Sequence, residues 1–302
     1  MQPEPSVKTN AKERTNPMIY YLLLICLPLV GCCQSISQKQ YMLKEKQPNV
    51  ILFSAITSLI ALFFFLLTSR FDLAFDGRLV PFSLGFAVSY SAAWIGSVFA
   101  VRYGNMAISS LITSCSLIFP TTYGIIMGET ITPQIIVGVI LLFTAIVLVN
   151  LKLDPNDKFS VKWFVFAMIS FLGNGACSIM QNMQKRLLGD SFTHEFMIIA
   201  LSVAFVLLLV FSCATSKNIK ADFKVCLPFA TTNGMANGAV NFLMLTLIGN
   251  IPNTILYPSV SALNMIAAFL LSYVVYKEKF SRLQYVGYVL GIVSIVLLNL
   301  KL

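Results

Sequence analysis

The chain has 302 residues, 57% of them hydrophobic and only 11% charged, and carries a net charge of +9. A soluble globular chain is about 25% charged, so water-exposed surface is scarce and no stretch is polar enough for a separate soluble domain. The Lys and Arg residues lie between apolar runs, where lipid headgroups and membrane topology account for them, so the bilayer is the expected partner and nucleic acid is not.

Residues 1–17, with Lys8, Lys12, Arg14 and the prolines Pro3, Pro5 and Pro17, have the composition of a disordered basic tail. Ten apolar segments follow and predict membrane-spanning helices at 18–38, 49–68, 80–101, 107–127, 133–151, 161–183, 195–215, 225–248, 253–276 and 283–300. A hydrocarbon core of about 30 Å takes about 20 helical residues, a length these segments approach. The polar stretches 70–78 and 216–224, and the cluster Asp154, Pro155, Asn156 and Asp157, predict turns between spans. In the first segment, Leu29, Val30, Gly31 and Cys32 follow a basic tail as they would in a lipoprotein signal; an uncleaved first span is expected, because a counterpart exists around Gly175 and Cys177. The seven cysteines show no disulfide or metal-ligand spacing, which makes packing their expected role.

That counterpart belongs to an internal repeat. Leu148, Val149, Asn150, Leu151, Lys152 and Leu153 match Leu297, Leu298, Asn299, Leu300, Lys301 and Leu302 at a register of 149 residues. The same register places Glu129 on Glu278 and Gly138 on Gly287. Upstream, Gln38 and Lys39 match Gln184 and Lys185 with a slightly different offset. The repeat predicts two halves, 18–153 and 154–302, of five spans each; an odd number of spans per half places the halves in opposite orientations.

From Tyr103, Gly104 and Asn105 through Pro120, Gly128, Glu129, Gln134 and Gly138 the first half resembles the EamA-like domain of the drug/metabolite transporter superfamily. The second copy runs from Asn250 through Glu278, Gln284 and Gly287 to Leu300. Pro120 lies closer to Glu129 than the corresponding proline does in that family, and Pro258 lies farther from Glu278. The resemblance implies an all-α, polytopic transporter with both termini in the cytoplasm of a bacterial plasma membrane; the distribution of Lys and Arg among the loops favours the opposite orientation. A monomer and a homodimer fit the pattern equally.

Side-chain amides inside spans need a partner, water or a ligand. Asn233, Asn237 and Asn241 recur every four residues on one face, together with Thr232 and Met244. Asn174, Ser178, Gln181 and Lys185 form a similar row on the sixth span, and Gln34, Gln38 and Tyr41 mark the first. Tyr90 and Trp94 share a face with Ser97, as Tyr257 does with Ser261 and Asn264. The candidate substrate-binding residues are therefore Gln34, Gln38, Tyr90, Trp94, Asn174, Gln181, Lys185, Asn233, Asn237, Asn241, Tyr257 and Asn264. Lys39 and Lys185 lie near span ends, where the expected behaviour is reaching to the interface; either one, pointed inward, would favour an anionic solute. Glu129 and Glu278 sit at span boundaries, where turn and helix-end electrostatics are the expected role.

Intramembrane catalysis lacks its residues. Every Asp falls in a predicted loop, the single His194 has no nucleophile motif near it, and no phosphate-binding Gly-Lys-Ser/Thr loop is present. No enzyme activity, metal or cofactor is expected. The expected function is a secondary transporter of a small neutral, zwitterionic or anionic organic metabolite, working by alternating access as two inverted halves rock around a midplane site. Lipophilic-cation efflux is the alternative within the same class; a non-transporting sensor or scaffold, or an intramembrane enzyme, is the alternative outside it.

Overall fold

A computed structural model describes residues 17–45, 48–103, 109, 112–150, 160–190, 192–216, 219–275, 277 and 280–299. The described residues form ten α-helices: α1 (Pro17–Lys44), α2 (Val50–Thr68), α3 (Leu79–Tyr103), α4 (Ile118–Ile126), α5 (Pro133–Asn150), α6 (Val161–Leu188), α7 (Thr193–Thr215), α8 (Ile219–Leu247), α9 (Asn253–Val274) and α10 (Arg282–Asn299). Seven of them, α1, α2, α3, α6, α7, α9 and α10, are long and apolar enough to cross a bilayer, so the chain is a multi-pass helical membrane protein. Large apolar side chains point outward along them, among them Leu22 and Leu29 on α1 and Val286, Val289 and Val293 on α10, as lipid contact requires. The helices α4 and α5 are shorter, while α8 has the length but carries amides and threonines in place of aliphatic residues.

Several boundaries differ from the sequence expectation. The first helix continues to Lys44, because Gln38 to Lys44 contains no breaker before Pro48. The stretch expected as a turn at 216–224 is helical from Ile219 onward, since it lacks Gly and Pro; Asp222 is thus in the first turn of α8, not in a loop. The fourth segment is interrupted by a 3₁₀ turn over Cys115–Leu117. The basic tail, the Asp154–Asp157 cluster and Glu278 lie outside the described residues.

Connections gather at two ends of the bundle. At one, Asn49 caps α2 by accepting the Leu52 N–H at 3.0 Å and donates through Nδ2 to Asp222 at 3.0 Å, tying the starts of α2 and α8 together. At the other, buried Glu195 in the first turn of α7 accepts the Ala74 N–H at 3.0 Å. The nearby Arg78 guanidinium, bonded to Asp76, holds that half-buried carboxyl below the usual carboxylate range.

The extensive packing pairs are α3 with α6, α5 with α10, α2 with α8, α2 with α7, α1 with α8 and α3 with α7. Exchanging α1–α5 with α6–α10 in order maps the α1–α8 pair onto α6–α3 and the α2–α8 pair onto α7–α3, and leaves α2–α7 and α5–α10 unchanged. Individual contacts obey the exchange too. A Cβ on Gly138 would meet Leu298 Cγ at 2.8 Å and one on Gly287 would meet Val149 Cγ2 at 2.8 Å, positions related by the 149-residue register. Small residues at these crossings let backbones approach: a Cβ on Gly96 would lie 2.7 Å from the Ser170 backbone nitrogen, and one on Gly173 would lie 2.7 Å from the Ser89 carbonyl.

A second division cuts across the halves. The helices α1–α3 and α6–α8 form one group, and α4, α5, α9 and α10 form another. The groups approach each other mainly where α1 packs on α9 and where α4 with its leading turn packs on α6. Gly31 faces Asn264 at the first crossing and Gly175 faces the Phe119 ring at the second, so the matched glycines of the sequence repeat occupy equivalent places.

Candidate functional site

The four-residue spacing keeps Asn233, Asn237 and Asn241 on one face of α8, yet their partners differ. Asn233 Nδ2 donates to the Gln34 carbonyl of α1 at 2.9 Å, and its Oδ1 accepts from the Thr57 hydroxyl of α2 at 3.5 Å. It is 2% exposed and ties three helices. Asn241 Nδ2 donates to the Asn237 carbonyl at 3.0 Å and to Asn237 Oδ1 at 3.1 Å, while Asn241 Oδ1 accepts from Gln181 Nε2 of α6 at 3.1 Å. Thr232 departs from the expected face: it is exposed, with its hydroxyl donating to the Pro228 carbonyl of its own helix.

Tyr90 of α3 joins this group. Its hydroxyl is buried beside Ser58, Trp94 and Asn237 without hydrogen-bond geometry to any of them, and its ring meets Trp94 edge-on at 6.4 Å. Tyr90, Trp94, Asn237, Asn241 and Gln181 are therefore brought together from α3, α6 and α8. Asn174 spends its amide on the Ser170 carbonyl of its own helix at 2.9 Å, and Gln38 is half-buried on α1. Asn264 lies apart, exposed between a cavity of about 330 Å³ shared with Ser114, Ile146 and Tyr288 and one of about 180 Å³ shared with Gly31 and Gln34.

A larger cavity, about 440 Å³, opens where α4, α6, α8 and α9 end or begin, lined by Tyr123, Glu129, Asn182, Lys185, Arg186 and Asn253 among others. Its geometry starts at Gly128. With φ at 86°, Gly128 ends α4 in a Schellman motif: its N–H bonds the Ile125 carbonyl at 3.0 Å and the Glu129 N–H bonds the Gly124 carbonyl at 3.0 Å. That turn aims Glu129 at the start of α9, where Pro252 at the N-cap has no side-chain acceptor. Glu129 Oε1 accepts the Asn253 N–H and Oε2 the Thr254 N–H, both at 2.8 Å, so a carboxylate from another helix end caps α9.

Lys185 does not reach out to the interface as expected. Its side chain is 9% exposed and forms an ion pair with Asp190, just past Gly189, whose φ of 68° ends α6. Sequence reasoning missed Asn182, which is buried and donates through Nδ2 to the Tyr257 hydroxyl at 2.7 Å and to the Ser178 carbonyl at 2.8 Å. The signal was present, since Asn174, Ser178 and Asn182 repeat every four residues. Asn253 was missed because nothing local marks a residue whose surroundings come from α4 and α6. All seven cysteines are free thiols, and among the described residues no cluster of His, Cys, Asp and Glu could hold a metal ion.

No family model and no curated protein sequence matches the chain. Solved structures do match, 29 chains in all. One, titled only "Crystal structure of protein", is similar over 94% of this chain and 96% of its own length, with a TM-score of 0.68 and 11% identity, a likeness of fold alone.

Proposed function

We propose that this chain is a secondary carrier, of the EamA-like kind in the drug/metabolite transporter superfamily, that moves a small neutral, zwitterionic or anionic organic solute by alternating access. The observation that carries the reading is the chain of amides Gln181, Asn241 and Asn237 ending beside the unpartnered Tyr90 hydroxyl. Polar groups buried in a membrane bundle are costly, and a hydroxyl left without a partner there finds a use in binding solute. The exchange symmetry of the helix contacts supports an inverted repeat of two five-span halves, with ten crossings in total.

In this reading the bodies that move are the six-helix and four-helix groups, because the two halves interleave too closely to separate. The sparse crossings at Gly31 and Gly175 are the natural pivots. The cargo carries no uncompensated positive charge, since the amide chain has no carboxylate among its members.

The test is solute counterflow in proteoliposomes containing the purified chain, using a panel of neutral, zwitterionic, anionic and quaternary ammonium solutes. Saturable flux of a solute from the first three classes, lost on Asn237→Leu, is the expected result. Export of the quaternary ammonium solutes alone would transfer the chain to cation efflux, and absence of any flux would favour a sensor or scaffold.

A further inference from the structure

The cavity where α4, α6, α8 and α9 meet holds two groups that nothing within the described chain satisfies. Arg186 is exposed at its mouth, and among the described residues no carboxylate lies within ion-pair distance of it. Further in, Asn253 is 8% exposed and its side-chain Oδ1 is buried without a hydrogen-bond partner. A buried acceptor in that state calls for a donor.

Two cations, Lys185 and Arg186, and two carboxylates, Asp190 and Glu129, stand at this mouth, but they do not all pair with one another. Lys185 is paired with Asp190, whose side chain is 60% exposed, so Asp190 answers one cation and Arg186 is left over. Glu129 also lines the cavity, but both of its oxygens are engaged by the Asn253 and Thr254 N–H groups, and its charge is set against the positive end of α9. On α6, Asn182, Lys185 and Arg186 stand at i, i+3 and i+4 and share one face. The cations therefore lie about one helical turn, roughly 5 Å, from the level of Asn182. Asn182 is held in place by the Tyr257 hydroxyl, and the link carrying Gly249 and Asn253 forms another wall.

We infer that this cavity binds a compact organic anion that also bears a hydroxyl or ammonium donor. The anionic group meets Arg186 and Lys185 by charge-assisted hydrogen bonds, and the donor meets Asn253 Oδ1. Small hydroxy- and amino-carboxylates and small phosphate monoesters have this form, and a phosphatidylethanolamine headgroup offers the same two groups. The place of this site as an entry vestibule rests on the carrier reading; its binding chemistry does not.

The test is calorimetric titration of the full-length, delipidated protein in detergent with lactate, L-serine and glycerol 3-phosphate, and with propionate and lactate methyl ester as controls. At least one charged probe binds saturably, the ester binds about tenfold more weakly or not at all, and Arg186→Gln weakens the charged probe by about tenfold while Arg186→Lys restores part of it. Asn253→Ala keeps the backbone N–H that Glu129 accepts, and it weakens lactate while leaving propionate unchanged, a split that a general loss of structure would not produce. Displacement of the probe by added phosphatidylethanolamine assigns the site to a headgroup, and absence of displacement assigns it to a free solute. If no probe binds and phosphatidylethanolamine is not retained, the inference is overturned. Proteoliposome flux on the same variants separates the two proposals: binding without flux keeps this site and removes the carrier, whereas flux without binding, indifferent to Arg186→Gln, keeps the carrier and removes the site.

Discussion

Gln181 on α6 donates to Asn241 on α8 at 3.1 Å, and this bond joins two helices whose backbones do not otherwise pack closely. Side chains alone span the gap between them. Interhelical hydrogen bonds in membranes contribute about 0.6 kcal/mol on average, because the separated helices also find partners. A double-mutant cycle with Gln181→Leu and Asn241→Leu, followed by unfolding in mixed detergent, is expected to give a coupling of about that size. Solute flux is expected to fall by about tenfold in either single variant, a loss larger than the stability change explains.

The three asparagines of α8 are expected to differ in access to water. In a cysteine-free background, Asn237→Cys and Asn241→Cys react with a water-soluble thiol reagent and are protected by transported solute. Asn233→Cys stays unlabelled in every state, since Asn233 is 2% exposed and bonded to both α1 and α2. Labelling at 233 equal to that at 241 would contradict this division.

Glu129 acts as a cap. Its replacement by Ala leaves two buried N–H groups of α9 unmet, an expected loss of about 1–3 kcal/mol. Glu129→Gln keeps one acceptor and loses less. Whatever pH dependence flux shows in the native chain is expected to persist in Glu129→Gln; its disappearance would make this carboxylate a proton carrier.

The symmetric glycine contacts between α5 and α10 make an asymmetric prediction. A Cβ on Gly287 would stand 3.0 Å from the Ala145 carbonyl as well as against Val149, whereas one on Gly138 meets mainly the Leu298 side chain, with the Ser294 carbonyl farther off at 3.5 Å. A side chain can change rotamer and a helix backbone cannot, so Gly287→Ala is expected to cost about 1–3 kcal/mol and Gly138→Ala less. Thermal unfolding of the two variants in one detergent gives the order directly.

The positions of the helices were legible in the sequence, because a run of apolar residues long enough to cross lipid must satisfy its own backbone as a helix. So was the meaning of Gly128, a residue free to take positive φ directly after an apolar run. The four-residue spacing on α8 also announced a shared face. Its occupant was not announced: Asn233 and Asn241 look alike in the sequence, yet one binds α1 and α2 and the other reaches α6.

Partnership was decided by the tertiary structure alone. Hydropathy and helix length are properties of a segment, set by the thickness and apolarity of the bilayer. The meeting of Glu129 with Asn253, of Asn182 with Tyr257, or of Gly138 with Leu298 depends on how closely two distant backbones approach, and a glycine such as Gly124 or Gly138 on one side lets that approach happen. Matched segments told which stretches of sequence are alike, while only the packed structure showed that α1 lies against α8, far from it in the chain.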